Sequence, residues 1–141
     1  MEGALGPVAR EVVERILAGY DLFNRGELDQ ALIGFSDQIE WVAPDMVPDP
    51  GPHRGPEGVR RFWDTWRESF QEFRLEVLDV HDLDEHVVVI ARIHGTGRDS
   101  GVPVTTPSFP QVWTSDGSEI VRMEMFPSED SAAEAIGKDW R

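Results

Sequence analysis

The feature of this sequence that most restricts its fold is the apolar run HVVVIARIHGTG, from His86 to Gly97. Its four consecutive β-branched residues, 87–90, are typical of a strand with both faces covered, because a half-exposed strand alternates apolar and polar side chains. Arg92 and His94 follow two positions apart, so they point to the same face of the strand. The run therefore predicts a buried strand that carries a guanidinium and an imidazole side by side.

Further strands are predicted on either side of this run, joined to it by short turns. Residues 73–84 alternate apolar and polar side chains and should turn at 83–85 into the run. An Asp-Ser-Gly turn leads to a return strand over 102–113, and a Ser-Asp-Gly turn leads to a last strand over 119–126. Together these segments predict an antiparallel meander.

The N-terminal part of the chain has helical spacing instead. Apolar residues recur every three or four positions from Pro7 to Asn24, and a shorter helical pattern follows over 28–35. A short strand over 38–44 comes next. Residues 44–56 contain five of the ten prolines, which neither a helix nor a central strand tolerates, so this segment is predicted to be a loop.

Two more helices complete the predicted order. Pro56 suits the first turn of a third helix, and Ser128 suits the N-cap of a terminal helix that runs to Gly137. Helices followed by a strand meander are typical of an α+β fold with the helices on one face of the sheet. We therefore expect a single domain, residues 1–141, in which a curved antiparallel sheet wraps around the N-terminal helices and forms a conical pocket.

The net charge of the chain restricts the kinds of partner that it can bind. There are 13 Lys and Arg residues against 27 Asp and Glu residues, which gives a net charge of −14. A protein that binds nucleic acid or an anionic membrane needs a basic surface to neutralise phosphate groups. We therefore expect neither of these partners.

Residue types also restrict the cofactor and the compartment. The chain has no Cys, which excludes disulfides and thiolate-bound zinc, and its four His residues form no metal motif. The N-terminus lacks the apolar segment of a signal peptide, and no run approaches the roughly 20 apolar residues of a membrane span. We expect a soluble, cytoplasmic protein without metal or other cofactor.

Arg92 and His94 are the candidate catalytic residues. If they face the hollow, burial and the neighbouring guanidinium keep His94 neutral and able to act as a general base, while Arg92 stabilises an anion. Gln111, on the return strand, would then orient the substrate. The alternative places Arg92 and His94 on the outer face, paired with Glu124 or with a partner subunit.

Aromatic and methionine side chains are expected to line the hollow. A wide ring stacks well on a flat cyclic ligand, and the phenol of Tyr20 can donate a hydrogen bond to one. The candidate ligand-binding residues are Tyr20, Trp41, His53, Trp63, Trp66, Phe70, Phe109, Trp113, Met123 and Met125. Each tryptophan also fits a plain core position, and His53 also fits an exposed position in the proline-rich loop.

The outer face of the sheet predicts self-association. With the two polar residues of the central run inward, the outer face would carry Val87, Val89, Ala91 and Ile93. The helices cannot cover that face. A contiguous apolar sheet face of this kind predicts a homodimer packed sheet to sheet.

Several strings of the sequence resemble the SnoaL-like branch of the nuclear transport factor 2-like superfamily. They are AGYDLFNRGELDQALIGFSDQIEWVAP, HRGPEGVRRFW, GTGRDSGVPV, and VWTSDGSEIVRMEMF followed by SAAEAIG, and the resemblance covers about residues 8–137. It implies the cone-shaped α+β fold. Relatives include ketosteroid isomerase, limonene epoxide hydrolase, polyketide cyclases and proteins that only bind or dimerise, so the fold alone names no reaction.

Several catalytic residues of those relatives are absent from the matching positions. Where the isomerase has an acidic base and an oxyanion-hole acid, this chain has Ala43 and Gln111. The arginine of the epoxide hydrolase matches Arg92, whereas its two acids match His94 and Met125. The resemblance therefore implies a pocket for a small molecule without transferring either mechanism.

Three functions fit the sequence. The first is a cofactor-free acid/base enzyme, of isomerase, cyclase or hydrolase type, that acts on a hydrophobic cyclic substrate. The second is a protein that binds such a molecule without chemistry, which the missing carboxylates favour. The third is a dimerising interaction module whose hollow is a filled core.

Overall fold

The computed structural model describes residues 2–44, 51–83 and 86–141 of the chain. In chain order its elements are α1 (Glu2–Asn24), α2 (Leu28–Ala31), β1 (Phe35–Val42), β2 (His53–Arg54), α3 (Gly55–Glu68), β3 (Phe70–Leu83), β4 (His86–Gly97), β5 (Pro103–Thr105), β6 (Phe109–Ser115), β7 (Ile120–Met125) and α4 (Glu129–Ile136). The part of the predicted loop over 45–50 and the part of the predicted turn at 84–85 lie outside the described residues.

The strands form one curved sheet in the order β2-β1-β7-β6-β4-β3, with β5 beside β4. The pairs are antiparallel except for β1 and β7, which run parallel. The central apolar run is β4, which pairs with β3, β5 and β6. The predicted α+β fold with a curved sheet is confirmed.

The return strand predicted over 102–113 is divided into β5 and β6, which both pair with β4. Pro107 lies between them and has no N–H to donate to the ladder. At the break, the backbone N–H of Ile93 donates to Oγ1 of Thr106, and the N–H of Thr106 donates to the carbonyl of Ile93, both at 3.0 Å. The break therefore divides the strand without detaching it from the sheet.

Local sequence sets the limits of α3 and α4. Pro56 lies in the first turn of α3 together with Glu57, near the positive end of the helix dipole. The hydroxyl of Ser128 accepts a hydrogen bond from the N–H of Ser131 at 3.1 Å and caps α4. Gly137 ends that helix with a φ of 73°, a left-handed conformation that suits glycine. The predicted starts of both helices are confirmed within one residue.

Aromatic rings from four elements meet in the concave core. Trp41 of β1 contacts Trp63 of α3 and Trp113 of β6, in each case with ring centroids 5.5 Å apart and planes nearly perpendicular. Phe23 of α1 contacts Trp63 in the same edge-to-face way at 5.3 Å. Such pairs stabilise a core beyond the area that they bury. Helices α1 and α3 are therefore held against the sheet by aromatic contacts.

The pairing of β4 with β6 fixes the face on which each β4 side chain lies. Val89 is opposite Gln111, and Val89 and Ala91 belong to the concave core. Because successive side chains alternate between faces, Arg92 and His94 lie on the convex face. The prediction that they face the hollow is wrong.

The physical reason is that both faces of β4 are buried. Residues 87–90 are between 0% and 6% exposed, so the usual contrast between a polar and an apolar face is missing from this part of the strand. The orientation of the strand was therefore predicted from Arg92 and His94 alone. They lie on the convex face, where the apolar cover ends.

A second apolar cluster covers part of the convex face within the same chain. Its members are Val88, Ile90, Val112 and Ala132, with Leu83, Phe126, Ile136 and Trp140 packed against them. Helix α4 and the residues after it therefore lie on the outer side of the sheet. The predicted outer patch is wrong, because the concave core contains Val87, Val89, Ala91 and Ile93. The homodimer stays a prediction without that support.

Candidate functional site

The concave side of the sheet and the helices enclose a cavity of about 30 Å³. It is lined by Arg15, Ile16, Gly19, Tyr20, Phe23, Ala31, Ile33, Phe35, Trp41, Trp63, Trp66, Leu75, Gln111 and Trp113. This volume holds about one or two water molecules. A ring-sized molecule therefore enters only if side chains of the lining move.

Three polar groups are hydrogen-bonded to one another in this aromatic lining. Nε1 of Trp113 donates to the phenolic oxygen of Tyr20 at 3.0 Å, and the phenol donates to Oε1 of Gln111. Gln111 is 1% exposed and Tyr20 is 6% exposed. We call Tyr20, Gln111 and Trp113 the polar triad.

Burial decides the protonation state of the triad. Removal of the phenol from water raises the pKa of Tyr20 well above its ordinary value of 10.0, and the hydrogen bond from Trp113 opposes that rise only in part. The phenol is therefore neutral at physiological pH. It acts as a hydrogen-bond donor, and it does not supply a base.

Trp41 brings an unpaired donor to the lining. Its Nε1 is buried and has no hydrogen-bond partner among the described residues, and the whole residue is 4% exposed. A buried N–H without an acceptor is costly. An acceptor on a bound molecule would remove that cost.

Arg15 and Ile33 are the more accessible part of the lining. Ile33 is 71% exposed, and Arg15 is half-buried. The guanidinium of Arg15 donates to the backbone carbonyl of Ser118 at 3.1 Å, which connects α1 to the β6–β7 turn. We call the part of the cavity at Arg15 and Ile33 the mouth.

The structure brings six of the predicted site residues together. Tyr20, Trp41, Trp63, Trp66, Gln111 and Trp113 all line the cavity. Their contact with a ligand stays a prediction. The agreement arises because these positions lie on the concave sides of α1, α3, β1 and β6.

The other predicted ligand contacts lie elsewhere. Met123 and Met125 are buried in the concave core, and Phe109 packs against it, but none of them lines the cavity. His53 pairs with Trp41 across β1 and β2, and its ring contacts Phe62. Phe70 contacts Phe73 and borders a polar surface groove. These five residues are not placed to touch a molecule in the cavity, because their side chains lie behind or beside its wall.

His94 forms polar contacts on the convex face. Nε2 of His94 is 2.6 Å from Oε1 of Glu76, and Nδ1 is 3.1 Å from Oγ1 of Thr105. Arg92 is opposite Glu76 in the β3–β4 ladder. The partner named from the sequence, Glu124, instead binds Arg122 at 2.9 Å. The acid/base roles predicted for Arg92 and His94 in the hollow are therefore wrong.

Metal and membrane sites have no support in the described part of the chain. No three His, Asp or Glu residues among those described lie in an arrangement that could hold a metal ion. None of the described helices combines the length and the apolar character that crossing a bilayer requires. A protein without metal or other cofactor stays a prediction.

Comparison with known families decides the classification. Residues 16–123, well over half of the chain, match the family described as the SnoaL-like domain. The protein belongs to the SnoaL-like domain family. The family resemblance noted in the sequence is confirmed. No curated protein is similar enough in sequence to this SnoaL-like protein to count as a match.

Solved structures share the fold. An NTF2-like protein of unknown function from Burkholderia pseudomallei is 22% identical, with a TM-score of 0.73 over 86% of this chain and 94% of its own. TerC, co-crystallised with polyporic acid, is 25% identical, with a TM-score of 0.73 over 89% and 98%. A Sinorhizobium meliloti protein named as a candidate polyketide cyclase is 18% identical, with a TM-score of 0.64 over 84% and 98%.

Sequence reasoning missed Arg15, Gly19 and Ile33, which line the cavity of this SnoaL-like protein. Arg15 and Gly19 are four positions apart on α1, so they share a face of that helix. They lie next to Ile16 and Tyr20, which belong to the apolar stripe of the helix. The signal was a charged residue and a glycine directly beside that stripe. Ile33 gave no signal, because a lone apolar residue in a turn is common.

Proposed function

We propose that this SnoaL-like protein binds a small, flat, largely apolar ring compound that carries an oxygen acceptor. The observation that carries the proposal is the polar triad in a cavity walled by indole and phenyl rings. The rings supply a stacking surface, and the triad supplies hydrogen-bonding groups at a fixed position. Pockets of this composition are typical of small-molecule sites.

The cost of the polar groups supports a binding role over a filled core. A core that binds nothing is more stable when it consists of apolar side chains, because each buried polar group needs a hydrogen-bond partner. Here Gln111 is almost completely buried, and Nε1 of Trp41 has no partner among the described residues. A ligand oxygen close to these groups would offset that cost.

The narrow cavity requires a rearrangement on binding. Trp66 and Ile33 line it and are less buried than the other large apolar residues of the wall. Their movement would widen the cavity at the least energetic cost, since fewer contacts are lost. We therefore expect binding to be accompanied by a change in the environment of Trp66.

A relative supports the class of ligand. TerC, at 25% identity, was crystallised with polyporic acid. That compound is accordingly the first probe for the cavity. The proposal does not require it to be the natural ligand.

Catalysis is the second candidate. The amide of Gln111 is a suitable donor for stabilising an enolate oxygen, and the phenol of Tyr20 would become one on releasing Oε1 of Gln111. One neighbour is named as a candidate polyketide cyclase. However, no carboxylate or imidazole is present among the described residues that line the cavity. Acid/base turnover would need a base from the substrate or from water, so binding is the better-supported function.

Tryptophan fluorescence tests the proposal directly. Four of the five tryptophans line the cavity, and Trp140 lies against the convex face. In a Trp140→Phe background, titration with polyporic acid and with neutral flat ketones should change the emission saturably. Tyr20→Phe should weaken binding of the ketones. If no compound of the panel gives a saturable change or a thermal shift, the proposed function is wrong.

Turnover is measured in the same panel. Enone, lactone and epoxide substrates are incubated with the protein, and products are separated by chromatography. Saturable binding without product formation supports a binding protein. Product formation that Tyr20→Phe abolishes would instead support the catalytic candidate.

A further inference from the structure

The mouth of the cavity contains a guanidinium with no carboxylate partner. Among the described residues that line the cavity, Arg15 is the one that carries a charge. Its hydrogen bond goes to the backbone carbonyl of Ser118 at 3.1 Å, and it forms no ion pair with a described carboxylate.

Several other described arginines do form ion pairs with carboxylates. Arg25, at the end of α1, lies 3.3 Å from Asp21 and 3.1 Å from Glu27. One carboxylate of the turn that Arg15 contacts is also occupied, because Oδ1 of Asp116 accepts hydrogen bonds from the N–H groups of Ser118 and Glu119. These bonds lower the pKa of Asp116 and hold its carboxylate in the turn.

The position of Arg15 is fixed by close packing. Gly34 has a φ of 96°, and a Cβ atom at that position would collide with Cδ of Arg15. The stem of Arg15 therefore passes directly over the backbone of Gly34. That path brings a half-buried guanidinium to the entrance of an apolar cavity.

We infer that the ligand of this cavity carries an anionic group, a carboxylate or an acidic enol, that pairs with Arg15 at the mouth. The inference rests on the proposed function, since it adds a charge requirement to the ring compound. A planar guanidinium binds a carboxylate through two parallel hydrogen bonds, and partial burial strengthens that pair. The ring would enter the aromatic cone, and the anion would stay at the mouth.

The test compares 2-naphthoate with 2-naphthamide, which have nearly the same shape and differ in charge. In the Trp140→Phe background, naphthoate should bind more tightly than naphthamide. Arg15→Met keeps the apolar stem over Gly34 and removes the charge, so it should weaken naphthoate binding about tenfold and change naphthamide binding little. Arg15→Lys should retain part of the preference, and added salt should reduce it.

Arg25→Met is the matched control, because it removes one positive charge at a site outside the cavity lining. If Arg15→Met does not fold, Arg15→Gln provides a second neutral variant. Equal affinities for both probes, unchanged in the Arg15 variants, would overturn this inference and leave the proposed function intact. Failure of both probes and of polyporic acid to bind would overturn the proposed function and this inference with it.

Discussion

The phenol of Tyr20 donates a hydrogen bond to the side chain of Gln111, a residue 91 positions later in the chain. The bond joins the C-terminal part of α1 to β6 inside the cone. Trp113 completes the arrangement by donating to the same phenolic oxygen. A polar connection across an apolar core fixes one helix relative to one strand, which apolar contacts alone do less specifically.

Replacement of Tyr20 by Phe should destabilise the fold. The change leaves Oε1 of Gln111 and Nε1 of Trp113 buried without their partner, which costs about 1–3 kcal/mol. Urea denaturation followed by circular dichroism measures the loss. The double variant Tyr20→Phe/Gln111→Met should lose less than the sum of the single variants. Strict additivity would contradict the hydrogen bond.

The Tyr20 phenol should resist ionisation while the protein is folded. Burial raises its pKa above the ordinary value of 10.0. The folded state therefore holds the proton more tightly than the unfolded chain, and this contribution to stability is complete below about pH 10 and declines as the pH rises further. Because the chain has one tyrosine, ultraviolet titration reports this group alone. Ionisation near pH 10 without unfolding would contradict the burial.

Gly19 offers a way to fill the cavity without removing any side chain. It lines the cavity, and a Cβ atom at this position would meet nothing within 4 Å. Gly19→Ala should stabilise the helix by about 0.5–1 kcal/mol and leave ligand binding intact. Gly19→Phe should displace side chains of the lining, lower the thermal stability and abolish binding. The measurements are thermal unfolding and the fluorescence titration, and unchanged binding in Gly19→Phe would place the ligand elsewhere.

His94→Ala should leave ligand binding and any turnover unchanged, because the imidazole lies on the convex face. Arg92→Met should behave in the same way. The fluorescence titration and the product assay measure both variants. A loss of binding greater than about threefold in either variant, with unchanged stability, would show that the convex face communicates with the cavity.

Glu76 should contribute to stability in a pH-dependent way. A hydrogen bond from His94 lowers the pKa of its carboxyl below the ordinary value of 4.5. The contribution is therefore present above about pH 4.5 and is lost as the pH falls through the lowered value. Acid unfolding of Glu76→Gln should lack that component. An identical acid transition in Glu76→Gln and the parent would contradict the contact.

Most of the fold could be predicted from sequence periodicity and turn residues, but the orientation of β4 could not. The alternation rule needs one polar face, and at Val88 and Val89 neither face is polar because α4 covers the convex side. The aromatic lining was predictable, since Trp41, Trp63 and Trp113 lie on apolar sides of their elements. Arg15 was not, because its place at the mouth depends on how closely α1 approaches Gly34 in three dimensions.

The parallel pairing of β1 with β7 has a consequence for synthesis on the ribosome. Trp41 is in register with Met123, so β1, and with it the edge strand β2, can join the sheet only after β7 has left the exit tunnel. Until then the tryptophan side chains between β1 and β7 in the sequence have no completed sheet to pack against. The nascent chain therefore depends on late closure of the sheet, and slow translation or scarce chaperones would favour aggregation of this protein at that stage.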